Sequence, residues 1–242
     1  MRKRALFVAA LLAAGAATPA AATEDTDTPG AGRWEINLNA SGQRTRSGWE
    51  LAIPDTDFNY GWGERAQVML AIPRVRLNEY DQPARSGLGT ASAGVKWRLL
   101  DQASSGLAAA IFPVLSWNPS SSAEARGLVA PGRSFMLPLI LGYKAGKTGW
   151  FAEAGRNFVE GGAHEWLAGV KLTSQCSPTV ECRLELQHSL VPQQVGHTLA
   201  SVGFKWALKE DLMLQASVGR DIGPQSEQKR QLTVRIGIQL LR

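Results

Sequence analysis

The chain has 242 residues, of which 44% are hydrophobic and 19% charged, with a formal charge of +5 and two cysteines. That length fits one domain, and past the N-terminus no apolar run nears the roughly 20 residues of a membrane helix, which excludes a helical membrane protein. Arg2, Lys3 and Arg4 carry part of the charge, and without them the balance falls to about +2, too little to imply nucleic-acid binding.

Met1 to Arg4 is basic, Ala5 to Ala17 is apolar, and Ala20-Ala21-Ala22 offers a small-residue cleavage point. Residues 1–22 are therefore predicted to be a secretory signal peptide, cleaved after Ala22. Residues 23–32 read as an exposed polar leader. Residues 33–242 read as an all-β domain, a transmembrane antiparallel up-and-down β-barrel of about 12 strands. The first strand, Arg33 to Ser41, alternates Trp34, Ile36, Leu38 and Ala40 with Glu35, Asn37 and Asn39. Gly42 to Gly48 follows as a loop. The second strand, Trp49 to Tyr60, changes parity midway, which predicts a bulge at Pro54-Asp55. A turn at Gly61-Trp62-Gly63 leads to the third strand with Ala66, Val68, Leu70 and Ile72, and Arg74 to Ser86 reads as a long polar loop.

The hairpin from Gly87 to Trp117 carries the clearest pattern. Ala91, Ala93, Val95, Trp97 and Leu99 share one parity in its first limb, and Leu107, Ala109, Ile111, Leu115 and Trp117 share one in its second. Alternation over ten or more residues exceeds an ordinary soluble strand and matches the roughly 9–11 residues that a tilted strand needs to cross a bilayer. After a loop at Asn118 to Arg133, strands six to twelve repeat the pattern around Leu139, Ala152, Ala168, Leu186, Val202, Ala216 and Ile236. Short turns and longer loops tend to alternate, as in an outer-membrane barrel.

The tryptophans avoid strand centres. Trp34, Trp62, Trp97, Trp150 and Trp206 fall near predicted periplasmic ends, and Trp49, Trp117 and Trp166 near extracellular ends, the placement of two aromatic girdles. The opposite parity carries charge. Arg65, Lys96, Arg98, Lys144, Lys171, Arg183, Lys205 and Arg235 are predicted to face the lumen as selectivity candidates, with Glu35, Asp57, Glu153 and Glu185 as acidic counterparts. Basic rings in a pore attract anions. The same residues can equally form an ion-pair network that fills a narrow lumen. Cys176 and Cys182 can close a disulfide across a short turn in an oxidising compartment.

No catalytic, metal or nucleotide constellation emerges, so no cofactor is expected. Adjacent His188 and Ser189 point to opposite faces, and His197 and Ser201 lie about 13 Å apart along an extended strand. A lipid hydrolase is thus the least favoured of three readings.

Several short motifs carry a family resemblance. They are Pro29-Gly30, Trp34-Glu-Ile-Asn37, Asp57-Phe-Asn-Tyr-Gly61, Glu64-Arg-Ala-Gln67, Ile72-Pro73, Gly87-Leu-Gly89, Gly94-Val-Lys-Trp-Arg98 and Ala216-Ser-Val-Gly-Arg220. The chain resembles the outer-membrane barrels described as transporters of the MetA pathway of phenol degradation. It departs from most outer-membrane barrels in ending Leu240-Leu241-Arg242 rather than in an aromatic residue. The resemblance implies a bacterial outer-membrane barrel taking up hydrophobic or aromatic small molecules. The expected partners are outer-membrane lipid, small-molecule solutes and the barrel-assembly machinery, with no nucleic acid, and the expected state is a monomer. A non-conducting structural or adhesive barrel is the alternative.

Overall fold

The structure, a computed structural model, describes residues 23–226 and 228–242, so the predicted signal peptide lies outside the described residues. The strands are β1 (Trp34–Arg44), β2 (Gly48–Trp62), β3 (Ala66–Ala71), β4 (Arg74–Glu79), β5 (Arg85–Leu88) and β6 (Ala91–Leu100). A short helix, α1 (Gln102–Ser105), leads to β7 (Ala108–Ile111) and β8 (Val114–Trp117), and α2 (Ser121–Ala125) precedes β9 (Ser134–Ala145). The remaining strands are β10 (Thr148–Val159), β11 (Glu165–Gln175), β12 (Val180–Leu190), β13 (His197–Ala207), β14 (Leu212–Ile222) and β15 (Leu232–Leu241).

All pairings are antiparallel, and β1 pairs with both β2 and β15, which closes the sheet. Three of the wall strands are interrupted. β3 and β4 both pair with β2, β7 and β8 both lie between β6 and β9, and β5 runs on into β6, so the wall is a closed barrel of 12 strands. Proline marks two of the breaks, because Pro73 and Pro113 bring no N–H to the ladder. Their carbonyls still close it: Gly89 N–H donates to Pro73 O at 2.9 Å and Val95 N–H to Pro113 O at 3.1 Å. The register of β1 on β2 jumps between Asn39/Asp55 and Ser41/Ala52, which sets Ile53 and Pro54 against Ala40. This is the expected bulge, one residue earlier than the sequence places it.

Burial alternates in the sense opposite to that of a soluble protein. Val95, Leu139, Val170, Leu186, Val202 and Ile236 are exposed on the outside, while Asn37, Lys96, Glu153, Lys171, Gln187 and Gln239 are buried inside. A wall this apolar on its outer face suits hydrocarbon rather than water. No helix among the described residues is long and apolar enough to cross a membrane. Cys176 and Cys182 are disulfide-bonded across the turn between β11 and β12.

Two segments differ from the sequence reading. Arg74 to Ser86 is not a loop but mostly the β4–β5 hairpin, and β1 extends to Arg44, which leaves only residues 45–47 between β1 and β2. The cause is a short alternation, Val75 and Leu77, hidden among polar residues. It packs with Ala52 on Ala123, Leu128 and Val129 of the 118–133 segment, which folds back over this end of the barrel. The leader also differs. Thr23 and Thr26 are 1% and 2% exposed, so residues 23–28 are not a free tail.

Candidate functional site: the barrel lumen

The leader enters the lumen at the end that carries the short turns, where Gly32 N–H donates to Gly61 O at 2.9 Å. From there it runs inward over β9–β12. Two inward-facing glycines make its seat. A side chain at Gly142 would begin 2.8 Å from Thr26 Oγ1, and one at Gly169 would begin 2.4 Å from Thr23 Oγ1. Both are too close for any Cβ, so only glycine admits the leader here.

The leader's charges meet the lysines of the wall. Glu24 Oε2 lies 2.7 Å from Lys96 Nζ, and Asp25 reaches Lys96 at 3.9 Å and Lys171 at 3.4 Å. Asp27 lies 2.6 Å from Lys144 Nζ, and Arg98 donates to Thr28 Oγ1 at 2.8 Å. Glu153 accepts the backbone N–H of Glu24 at 2.8 Å, and Glu185 accepts that of Thr23. Burial alone would raise the Asp25 carboxyl, but Lys171, Lys96 and Lys205 outweigh it and hold Asp25 below the ordinary carboxylate range. Aromatic rings back the lysines: Lys96 lies 5.1 Å from the Phe112 centroid and Lys171 lies 5.0 Å from that of Phe151.

The other lumen candidates take varied positions. Arg65 is exposed in the β2–β3 turn and pairs with Asp101 at 2.7 Å, and Asp101 also takes Arg98 at 3.1 Å. Lys144 is exposed beside the leader, although it was expected among the lining residues. Arg235 pairs with Asp55 at 2.8 Å. Arg183, which donates to Phe204 O at 3.4 Å, lines a cavity of about 100 Å³ with Glu50, Glu185, Ser201, Ser217 and Arg235. Lys205 is half-buried on β13 and adds its charge to the field around Asp25.

On the facing wall, sequence reasoning turns Glu35 and Asp57 inward but misses the amides that join them. Asn37 donates to Glu35 and Asp57, both at 2.9 Å, Asn59 donates to Asp57 at 2.6 Å, and Gln67 donates to Asn59 at 2.5 Å. The signal for this amide ladder was present as Asn and Gln on the inward parity of β1–β3. The lumen therefore has one cationic and aromatic side, which the leader covers, and one side of amides and carboxylates.

The tryptophans lie at strand ends. Trp34, Trp62, Trp97, Trp150 and Trp206 are exposed at the short-turn end, Trp166 is exposed at the other, and Trp49 and Trp117 are half-buried there. Of the histidines, His188 shares a hydrogen bond with Thr198 Oγ1 at 2.9 Å. His197 lies 3.6 Å from Asp221, whose oxygens are taken by Arg230 at 2.8 Å. No cluster of possible metal ligands occurs among the described residues.

No family model and no curated relative matches the sequence. The fold has many solved counterparts. The COG4313 outer membrane channel from Pseudomonas putida F1 aligns over 90% of this chain and 98% of its own, at 14% identity and a TM-score of 0.65. The NanC porin aligns over 85% and 98% at 7% identity and a TM-score of 0.59. The KdgM porin gives the same coverage at 9% identity and a TM-score of 0.57. At such identities the likeness is one of fold: the chain shares the closed antiparallel β-barrel of these outer-membrane proteins.

Proposed function

We propose that this protein is a passive channel of the bacterial outer membrane for small hydrophobic, aromatic or anionic molecules, and that its leader restricts the passage. The observation that carries the reading is the ownership of the ion pairs. The carboxylates within ion-pair distance of Lys96, Lys144 and Lys171 come from the ten-residue leader, and the wall's own Glu153 acts on Lys96 and Lys171 only from farther off. When the leader moves, three lysines backed by Phe112 and Phe151 face the passage, a surface suited to an anionic or aromatic solute. The likeness to outer-membrane channels supports the location, and the motif resemblance supports membership among transporters linked to phenol degradation. On this reading the chain sits as a monomer in outer-membrane lipid after insertion by the barrel-assembly machinery, and it has no catalytic role.

A non-conducting structural or adhesive barrel is the second reading. It is favoured by closure at both ends, the leader at one and the 118–133 segment at the other. Purified protein in planar bilayers separates the two. Wild type should conduct weakly, and removal of residues 23–32 should raise conductance several-fold with a preference for anions. No conductance after removing the leader and shortening 118–133 would establish the second reading.

A further inference from the structure

The innermost atom of the leader's backbone is the Thr23 nitrogen, and it rests on a carboxylate. It donates to Glu185 of β12, its residue is 1% exposed, and its side chain packs on Gly169 of β11. The bond just before this nitrogen, Ala22–Thr23, is the one at which the sequence places signal-peptide cleavage. The chemistry of the nitrogen depends on that bond. Within a continuous chain it is a neutral amide with one hydrogen. As a chain end it is an amine whose ordinary pKa is about 8, an ammonium with three hydrogens at neutral pH.

The charges of the seat favour the second form. The leader brings Glu24, Asp25 and Asp27 to Lys96, Lys171 and Lys144. Two wall carboxylates, Glu153 and Glu185, then meet the leader through backbone nitrogens, those of Glu24 and Thr23. The first of these stays an amide whatever happens upstream. The second gains a full positive charge on cleavage, directly against the Glu185 carboxylate, which turns a hydrogen bond to an anion into an ion pair.

We infer that signal-peptide removal completes the luminal seat. Water adds across the Ala22–Thr23 amide, the C–N bond breaks, the released peptide leaves with the Ala22 carboxylate, and the Thr23 amine takes up a proton. The new α-ammonium pairs with Glu185 and fastens the leader in the lumen, so the closed state belongs to the processed protein. The pair concerns the fastening of the leader and holds whether or not the barrel conducts.

The test uses the full chain expressed with its signal peptide and purified from outer membranes in detergent. Intact mass should give Thr23 as the first residue. An N-terminal threonine is also a 1,2-amino alcohol, which periodate cleaves between Cα and Cβ, so periodate reports whether that end is free and accessible. Folded wild type should react at least about tenfold more slowly than urea-unfolded protein, the ratio that one charge-assisted hydrogen bond supplies. Glu185→Gln should bring the folded rate close to the unfolded one, and Glu185→Asp should keep most of the protection. A first residue other than Thr23, or equal folded and unfolded rates in wild type, overturns the inference. So does full protection in Glu185→Gln. If Glu185→Gln does not assemble, judged by loss of heat-modifiable mobility, wild type and Glu185→Asp decide.

Discussion

Lys96 and Glu24 meet inside the barrel with Nζ and Oε2 2.7 Å apart, although 72 residues separate them in the chain. Lys96 is almost wholly buried there, and Asp25 shares it at 3.9 Å. Lys96→Met removes the bond and leaves Glu24 facing the ring of Phe112. A hydrogen bond to a charged group contributes about 1.5–3 kcal/mol, so the leader's seated fraction should fall by one to two orders of magnitude relative to the unseated one. Glutamyl endopeptidase, cutting after Glu24, should nick the folded variant much faster than wild type. Equal rates would show that Lys96 does not hold the leader.

The glycine seat allows a test that changes no charge. Gly169→Val places two methyl groups where Thr23 lies, and the leader has to leave while the wall keeps its ladder to β10 and β12. Conductance should rise as it does on deleting residues 23–32, with heat-modifiable mobility retained. Val202→Leu on the outer face of β13, away from the leader, should leave conductance unchanged.

Acid should release the leader. Asp25 is held below the ordinary carboxylate range by Lys171, Lys96 and Lys205 against the opposing effect of burial. A group whose bound-state pKa is depressed stabilises the seated state fully above its free value of about 3.9, and that stabilisation is lost as pH falls through the lower, bound-state value. As far as Asp25 governs the seat, conductance should be flat from pH 7 to about pH 5 and rise below about pH 4. Asp25→Asn should conduct more at neutral pH and lose most of the acid response.

Selectivity is best read without the leader. In the chain lacking residues 23–32, Lys96→Glu should weaken or reverse anion preference, measured as reversal potential in a salt gradient. In the intact chain the same substitution sets a third carboxylate beside Glu24 and Asp25, so leader release would mask the effect.

The disulfide should matter little to conduction. It closes a short loop that the β11–β12 ladder already closes from Gln175↔Glu181 inward. Loop entropy alone caps its contribution at about 2 kcal/mol. Replacing both cysteines with serine should lower the unfolding midpoint slightly and leave conductance unchanged.

Much of the wall was legible because a membrane barrel writes itself in period two. Residues such as Val95, Leu139 and Ile236 need only avoid water, so their parity needs no knowledge of the neighbouring strand. The β4–β5 hairpin escaped because its apolar alternation is just Val75 and Leu77, and their partners Leu128 and Val129 lie some fifty residues on. The leader escaped for a different reason. Glu24, Asp25 and Asp27 look solvated, and only the lysines on the inward parity, with Gly142 and Gly169 between them, say otherwise. Long-range charge complementarity leaves no periodic trace. Arg65 followed the parity rule yet lies in a turn, where the rule has no strand to act on.

At the barrel end covered by residues 118–133 the wall has a raw margin. β5 pairs with β4 on one side, and among its described partners nothing continues the ladder on the other. Such a margin invites another chain to add a strand. Arg126, at the end of α2, reaches across and donates to Ser86 O at 2.8 Å, while Arg85 of the margin donates to Arg126 O at 2.6 Å and pairs with Glu79. Arg126 thus covers one backbone carbonyl of β5, and Arg85 ties β5 to the end of α2. Arg126→Ala should therefore uncover the β5 margin and make the purified barrel self-associate, read as earlier elution in size-exclusion chromatography.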